Sequence, residues 1–300
     1  MHAETDLLGP LRAEVAGRFR RIMSGGREPS DLAEWVTDVG DDGLFGPDSV
    51  AWRVHGELST LIGGLRALML QTLHPLAMAG VADHSAFRSD PFGRLQRTAG
   101  FLAATVFGTT EDADRAIATV RRVHRHVRGV APDGRPYSAT DPHLVTFVHV
   151  TEVDSFLAAQ QVYGRSRLSR ADADRYVAEM AVVARRLGGR DVPEDVAELR
   201  GWLEAVRPEL SLTPQARDAV RFLLVPPLPL SARPAYAIVS SASIGLLPLW
   251  AQRMLWLPSF PPVDRLAVRP AMRSILGVLD WAVRGSPHRQ SARFRVASDR

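Results

Sequence analysis

"GELSTLIGGLRALMLQTLHPLAMAGVADHS", residues 56–85, decides the fold of this chain. The run is almost uninterruptedly apolar as far as residue 82, and a membrane span takes roughly 20 such residues. Two details point elsewhere. Arg66 puts a permanent charge inside it, and His74-Pro75 breaks it, because proline pushes the preceding residue out of helical geometry. The stretch therefore predicts two buried helices meeting at residue 74, which form the core of an all-α protein.

Working outward, three later segments carry helix punctuation. Asp90-Pro91 opens a helix that Gly108 closes, Thr109 with Asp112 forms a capping box for a helix over 112–128 that stops at Gly129, and Asp141-Pro142 starts a helix over 142–163 that ends at Gly164. Between the last two, 129–142 reads as a loop. Strict alternation of apolar and polar residues is rare along the chain, so no sheet is expected. The expected organisation is a single helical domain over 1–300, with an N-terminal arm (1–49), a core (50–225) and a C-terminal helical tail (226–300). Within the tail, 234–252 is uncharged but interrupted by Pro234 and Pro248. It reads as a buried helix, with peripheral membrane contact through 234–257, anchored by Trp250 and Trp256, as the other reading.

Composition removes whole classes of chemistry. The 37 basic residues are all arginine, which excludes Schiff-base and pyridoxal mechanisms, and points to a GC-rich, bacterial coding genome. With no cysteine there are no thiolate nucleophiles, disulfides, iron–sulfur clusters or thiolate-held haem. A net charge of +4 gives no reason to expect a nucleic-acid partner. The start of the chain lacks the apolar region of a signal peptide, so a cytoplasmic location, with membrane association through the tail as the variant, is the expectation. No G-x-S-x-G elbow, G-x-G-x-x-G or P-loop is present.

Histidines carry the remaining signal. In "RRVHRHVRG" (121–129) the wheel puts His124 in the stripe Ala113, Ala116, Ile117, Val120, Val123 and Val127, and His126 on the arginine-rich side. A buried imidazole needs a partner, either a carbonyl or a metal. In "DPFGRLQRTAGFLAATVFG" (90–108), Arg94, Thr98, Phe101 and Thr105 share one face. A cofactor pocket would place an arginine and a hydroxyl in this way; a carboxylate partner for Arg94 and a helix-backbone bond for Thr98 are the alternatives. His149 and Glu152, three apart, could complete a two-histidine, one-carboxylate iron site with His124, or line a pocket. His74 reads as a kink residue or as a pocket or axial ligand. His2, His55, His143 and His288 have no supporting context.

These residues, with "HP" at 74–75, "ADHS" at 82–85 and "YSATDPHLVTFVHVTEVDSFL" at 137–157, resemble the family of latex clearing protein rubber oxygenases and the MpaB-type oxygenases. The resemblance covers roughly residues 50–260 and is most specific in RxxxT (Arg94, Thr98) and RxxHxxVR (Arg121 to Arg128). It implies a haem b in a globin-like helical core, with His124 as proximal iron ligand, Arg94 and Thr98 on the distal side to position dioxygen, and Arg121 and Arg128 beside the ligand or the propionates. His74 and His149 would line the cofactor pocket. The implied activity is a haem b-dependent oxygenase acting with dioxygen on an apolar isoprenoid or aromatic small molecule. Where rubber-cleaving members carry a lysine before the distal threonine, this chain has Arg97, which stays charged and cannot be a neutral iron ligand. The resemblance therefore stops short of polyisoprene cleavage. The other functional classes are a non-catalytic haem carrier or gas sensor, and a structural helical protein without cofactor.

Overall fold

The computed structural model describes residues 8–24, 40–85 and 88–283. His2, His288 and the outer parts of the expected arm and tail lie outside these residues. The protein is mainly α-helical, as expected. Its elements are α1 (Gly9–Ser24), α2 (Val50–His55), α3 (Thr60–Gln71), α4 (Pro75–His84), α5 (Pro91–Phe107), α6 (Thr110–His124), a hairpin of β1 (Arg128–Val130) and β2 (Pro136–Ser138), then α7 (Pro142–Tyr163), α8 (Arg170–Leu187), α9 (Val196–Val206), α10 (Pro214–Leu224), α11 (Arg233–Leu246), α12 (Leu249–Met254) and α13 (Arg269–Val283).

The helix starts follow local chemistry. Asp90 accepts from the Gly93 amide, Asp141 accepts from the His143 amide, and Thr109 and Asp112 exchange both capping-box hydrogen bonds. The break at residue 74 is also as expected: α3 ends at Gln71 and α4 begins at Pro75, with His74 extended between them (φ −87°, ψ 113°).

α7 is the axis of the molecule. Its Val150, Val153 and Phe156 pack with Trp52 of α2, Phe107 of α5 and Tyr176 of α8. Its Phe147 joins Met69 and Leu70 of α3, Val220 of α10 and Leu255 beyond α12, while Ala159 and Tyr163 meet Ile62, Ala242 of α11 and Met272 of α13. Phe147, Val150 and Val153 are wholly buried. Each such side chain contributes about 1.5–3 kcal/mol through removal from water.

Against this axis lies α3. At Gly63 a Cβ would fall 2.8 Å from Phe156 Cδ1 and 3.0 Å from the Ser155 carbonyl oxygen, so only glycine permits this approach. One turn on, Arg66 is buried and donates to Asp154 Oδ2 (2.6 Å), Ser155 Oγ (2.6 Å) and the Leu246 carbonyl (2.9 Å). The charge that argued against a membrane span in the sequence thus joins α3, α7 and the end of α11.

Two elements differ from expectation. α6 stops at His124 rather than at Gly129, and the chain turns into an antiparallel hairpin with Arg128 opposite Ser138 and Gly129 opposite Tyr137. The hairpin lays Ala131 and Tyr137 against Leu76 and Ala79 of α4, with Val127 beside them, and this packing competes successfully with one more helical turn. The tail helix is broken where Pro248 predicts, giving α11 and α12. Ala242 and Ser243 are buried, and Ser243 Oγ donates to the Ile62 carbonyl (3.1 Å). Among the described residues no helix is long and apolar enough to cross a membrane. Trp256 stands out at 75% exposure, with Arg217 over its ring at 4.8 Å.

Candidate functional site

α5 and α6 form an antiparallel hairpin joined at Gly108-Thr109. The joint is tight. A Cβ on Gly108 would lie 2.5 Å from the Ala104 carbonyl, and one on Gly43 (φ +75°) would lie 2.1 Å from the Gly108 carbonyl. Asp41 accepts from the Thr110 amide at 2.7 Å. From this joint Arg94 lies 14 residues back along α5 and His124 15 residues forward along α6. At 1.5 Å per residue both stand roughly 21–22 Å from the joint, at the same end of the hairpin, with Thr98 level with Val120.

Near the joint the α6 stripe is packed: Ala113, Ala116 and Ile117 are buried. Toward the far end it emerges. Val120 is half-buried, Val123 is 54% exposed, and across from it Leu95 is 39% exposed. The expectation that His124 lies in the core is corrected accordingly: the imidazole is half-buried, because α6 ends at this residue and Arg121, Arg122 and Val123 of its last turn face solvent. The expected division within the pair does hold, since His126 is exposed and its Nδ1 donates to the Arg122 carbonyl at 3.0 Å.

The electrostatics of this end are set by partial burial. Burial lowers the His124 pKa, which favours the neutral imidazole with a free lone pair, and no hydrogen bond to its ring is found among the described residues. Arg94 is half-buried, and burial followed by the charge of Arg97 destabilises its cation. It donates to Ser85 Oγ at 3.1 Å and has no carboxylate partner among the described residues. Thr98 is exposed and its hydroxyl donates to the Arg94 carbonyl at 3.1 Å, the helix-backbone alternative. Arg121 is exposed and donates to the Arg186 carbonyl at 3.4 Å; Arg128 is exposed on β1.

A flat, largely apolar macrocycle with two acid substituents and one axial position fits these residues. His124 offers an unprotonated nitrogen, Leu95, Val120 and Val123 offer apolar contact, and Arg94, Arg121 and Arg128 offer cations to the acids.

His149 and Glu152 lie on the face of α7 toward α8, where Arg185 and Tyr176 are their charged and polar neighbours. His149 is buried with Nε2 unpartnered, and desolvation, then the charge of Arg185, brings its pKa down to about 4. Burial pushes the Glu152 carboxyl up to about 7. Together with His124 they do not make a three-ligand cluster. Among the described residues, the group of side chains with metal-ligand atoms all within 4.8 Å of one another is His74, His143 and Glu209. Sequence reasoning placed His74 at the cofactor and left His143 and Glu209 aside, because the three are separated by up to 135 positions and share no local spacing.

Residues 52–277 match the family described as ER-bound oxygenase mpaB/B'/Rubber oxygenase, catalytic domain. No curated protein and no solved structure matches the chain.

Proposed function

The chain belongs to the mpaB/rubber oxygenase catalytic-domain family, a family of oxygenases, and from that premise we propose a haem b-dependent oxygenase acting with dioxygen on an apolar small molecule. The observation that carries the haem assignment is the half-buried imidazole of His124 at the far end of the α5–α6 hairpin, held toward its neutral form by burial and without a partner among the described residues. Haem b would supply an iron centre able to activate dioxygen.

The chain's own residues have separable tasks. His124 would hold the iron, its low proton affinity keeping the nitrogen available near neutral pH. Arg94 brings a poorly hydrated positive charge to the same end of the hairpin, where it favours developing negative charge on a reacting oxygen. Thr98, anchored to the Arg94 carbonyl, fixes a hydroxyl one turn further in. Leu95 and Val123 exclude water from an apolar substrate, with isoprenoid and aromatic compounds as the substrate classes. Arg121 and Arg128, both exposed, would offer cations to the propionates. Arg97 is exposed and lies 3.5 Å from Asp90, which supports a reaction other than polyisoprene cleavage.

The test is the visible absorption spectrum with a pyridine haemochrome assay, run on the wild type and His124→Ala. A b-type haemochrome present in the wild type and lost in the variant is expected. A variant that keeps its full haem load removes His124 as ligand, and a wild type that stays colourless after haem addition removes the haem reading altogether.

A further inference from the structure

We propose that His74, His143 and Glu209 form a binding site for a divalent transition cation of the zinc type, separate from the iron position at His124. The three arrive from different elements. His74 precedes α4, His143 occupies the first turn of α7 behind the Asp141 cap, and Glu209 ends a short 3-10 turn after α9. A backbone hydrogen bond from the Ser211 amide to the Leu73 carbonyl (2.8 Å) ties the first and third segments together.

Distances suit a shared ion. His143 Nε2 lies 3.0 and 3.1 Å from the two Glu209 oxygens, and His74 Nε2 lies 3.4 Å from Glu209 Oε2. Ligands about 2.0–2.2 Å from a tetrahedral zinc stand roughly 3.3 Å from one another, so these separations need little adjustment. His143, with a half-exposed side chain, can rotate to close the remaining span.

The second observation is the state of His74. Its side chain is 1% exposed, yet neither ring nitrogen has a hydrogen-bond partner, since the approach to Glu209 lacks hydrogen-bond geometry. An unpaired buried imidazole is costly unless something else takes its lone pair. Phe147 at 4.9 Å and Trp202 at 5.3 Å pack on the two imidazoles and limit their motion.

Two imidazole donors and one carboxylate make a nitrogen- and oxygen-donor set that suits a dication. The nitrogen-rich set selects zinc-like metals over magnesium or calcium, which prefer all-oxygen shells. Arg135 is the facing cation that acts on both His74 and Glu209. Its guanidinium is engaged by Asp133 at 2.7 and 2.9 Å. His143 and Glu209 are 47% and 42% exposed, so water completes the coordination shell from the solvent side.

The experiment strips the full-length protein with a chelator and titrates it with zinc by calorimetry, with elemental analysis of the dialysed product. Stoichiometric uptake is expected in the wild type and in His124→Ala, and its loss in His143→Ala and in Glu209→Gln. Both of the latter replace half-exposed side chains, and unchanged melting without metal checks that they fold. Failure of the wild type to take up zinc, or equal uptake by the wild type and both ligand variants, overturns the site. Neither result depends on haem at His124.

Discussion

Two helix pairs in this molecule finish in opposite conditions, one from two apolar helices and the other from a pair whose second member, α6, is rich in charge. α3 and α7 touch closely at Gly63, and the one charge between them, on Arg66, is matched by Asp154, Ser155 and a carbonyl. α5 and α6 meet at a tight joint, near which Ala113, Ala116 and Ile117 are buried. Further along, Leu95 and Val123 stay exposed, and the imidazole of His124 and the guanidinium of Arg94 have no counter-charge among the described residues. A closed pair contributes to stability. A pair left open at one end contributes less and keeps surface for a ligand.

The largest expected effect tests the closed pair. Asp154→Ala leaves the Arg66 guanidinium buried without its counter-charge, and breaking such a pair costs about 3–5 kcal/mol. Urea unfolding measures this, and a loss under about 1 kcal/mol would mean that Arg66 escapes to solvent.

Next comes acid, which probes the polar groups buried on the α7–α8 side. Burial brings His55 and His149 down to about 4. Below pH 6.5 the unfolded chain therefore gains protons on these histidines that the fold refuses, and stability falls until about pH 4. His74 and His124, also lowered, act with the same sign. Glu152 opposes them: raised from 4.5 to about 7, its contribution is complete below 4.5 and lost as pH rises to 7. The histidines outnumber it, so stability should fall by roughly 1–2 kcal/mol per pH unit from 6.5 to 4.5. Glu152→Gln should steepen the fall. Urea midpoints that stay level across this range would show that the histidines are not held neutral.

The smallest effect belongs to the open end. In haem-free protein, His124→Ala should change stability by no more than about 0.5 kcal/mol, because the ring is half-buried and bonded to nothing among the described residues. A thermal melt showing a loss comparable to that of Asp154→Ala would erase the contrast between the two pairs.

What the sequence revealed follows the same division between local and distant causes. The caps at Asp90, Thr109 and Asp141, and the break at His74-Pro75, act within three or four residues and were readable. The overshoot of α6 came from Val127, whose spacing continues the apolar stripe although its side chain packs near α4. Pro132-Asp133-Gly134, with Gly134 at φ +85°, is the turn signal that would have exposed the hairpin. Arg94, Thr98 and His124 could be paired because a two-residue joint fixes their level along the hairpin. His74, His143 and Glu209 could not, because only the packing of α4, α7 and α9 brings them together.

The joint itself has a mechanical consequence. Gly108 has no room for a side chain, Gly43 presses on its carbonyl, and Asp41 holds the first amide of α6. One end of the hairpin is thereby a pivot and the other a lever tip. With an arm of roughly 21 Å, a rotation of about 5° moves His124 by about 2 Å. The close contacts of residues 41–43 with Gly108 and Thr110 therefore bear on how accurately His124 is placed at the far end of α6.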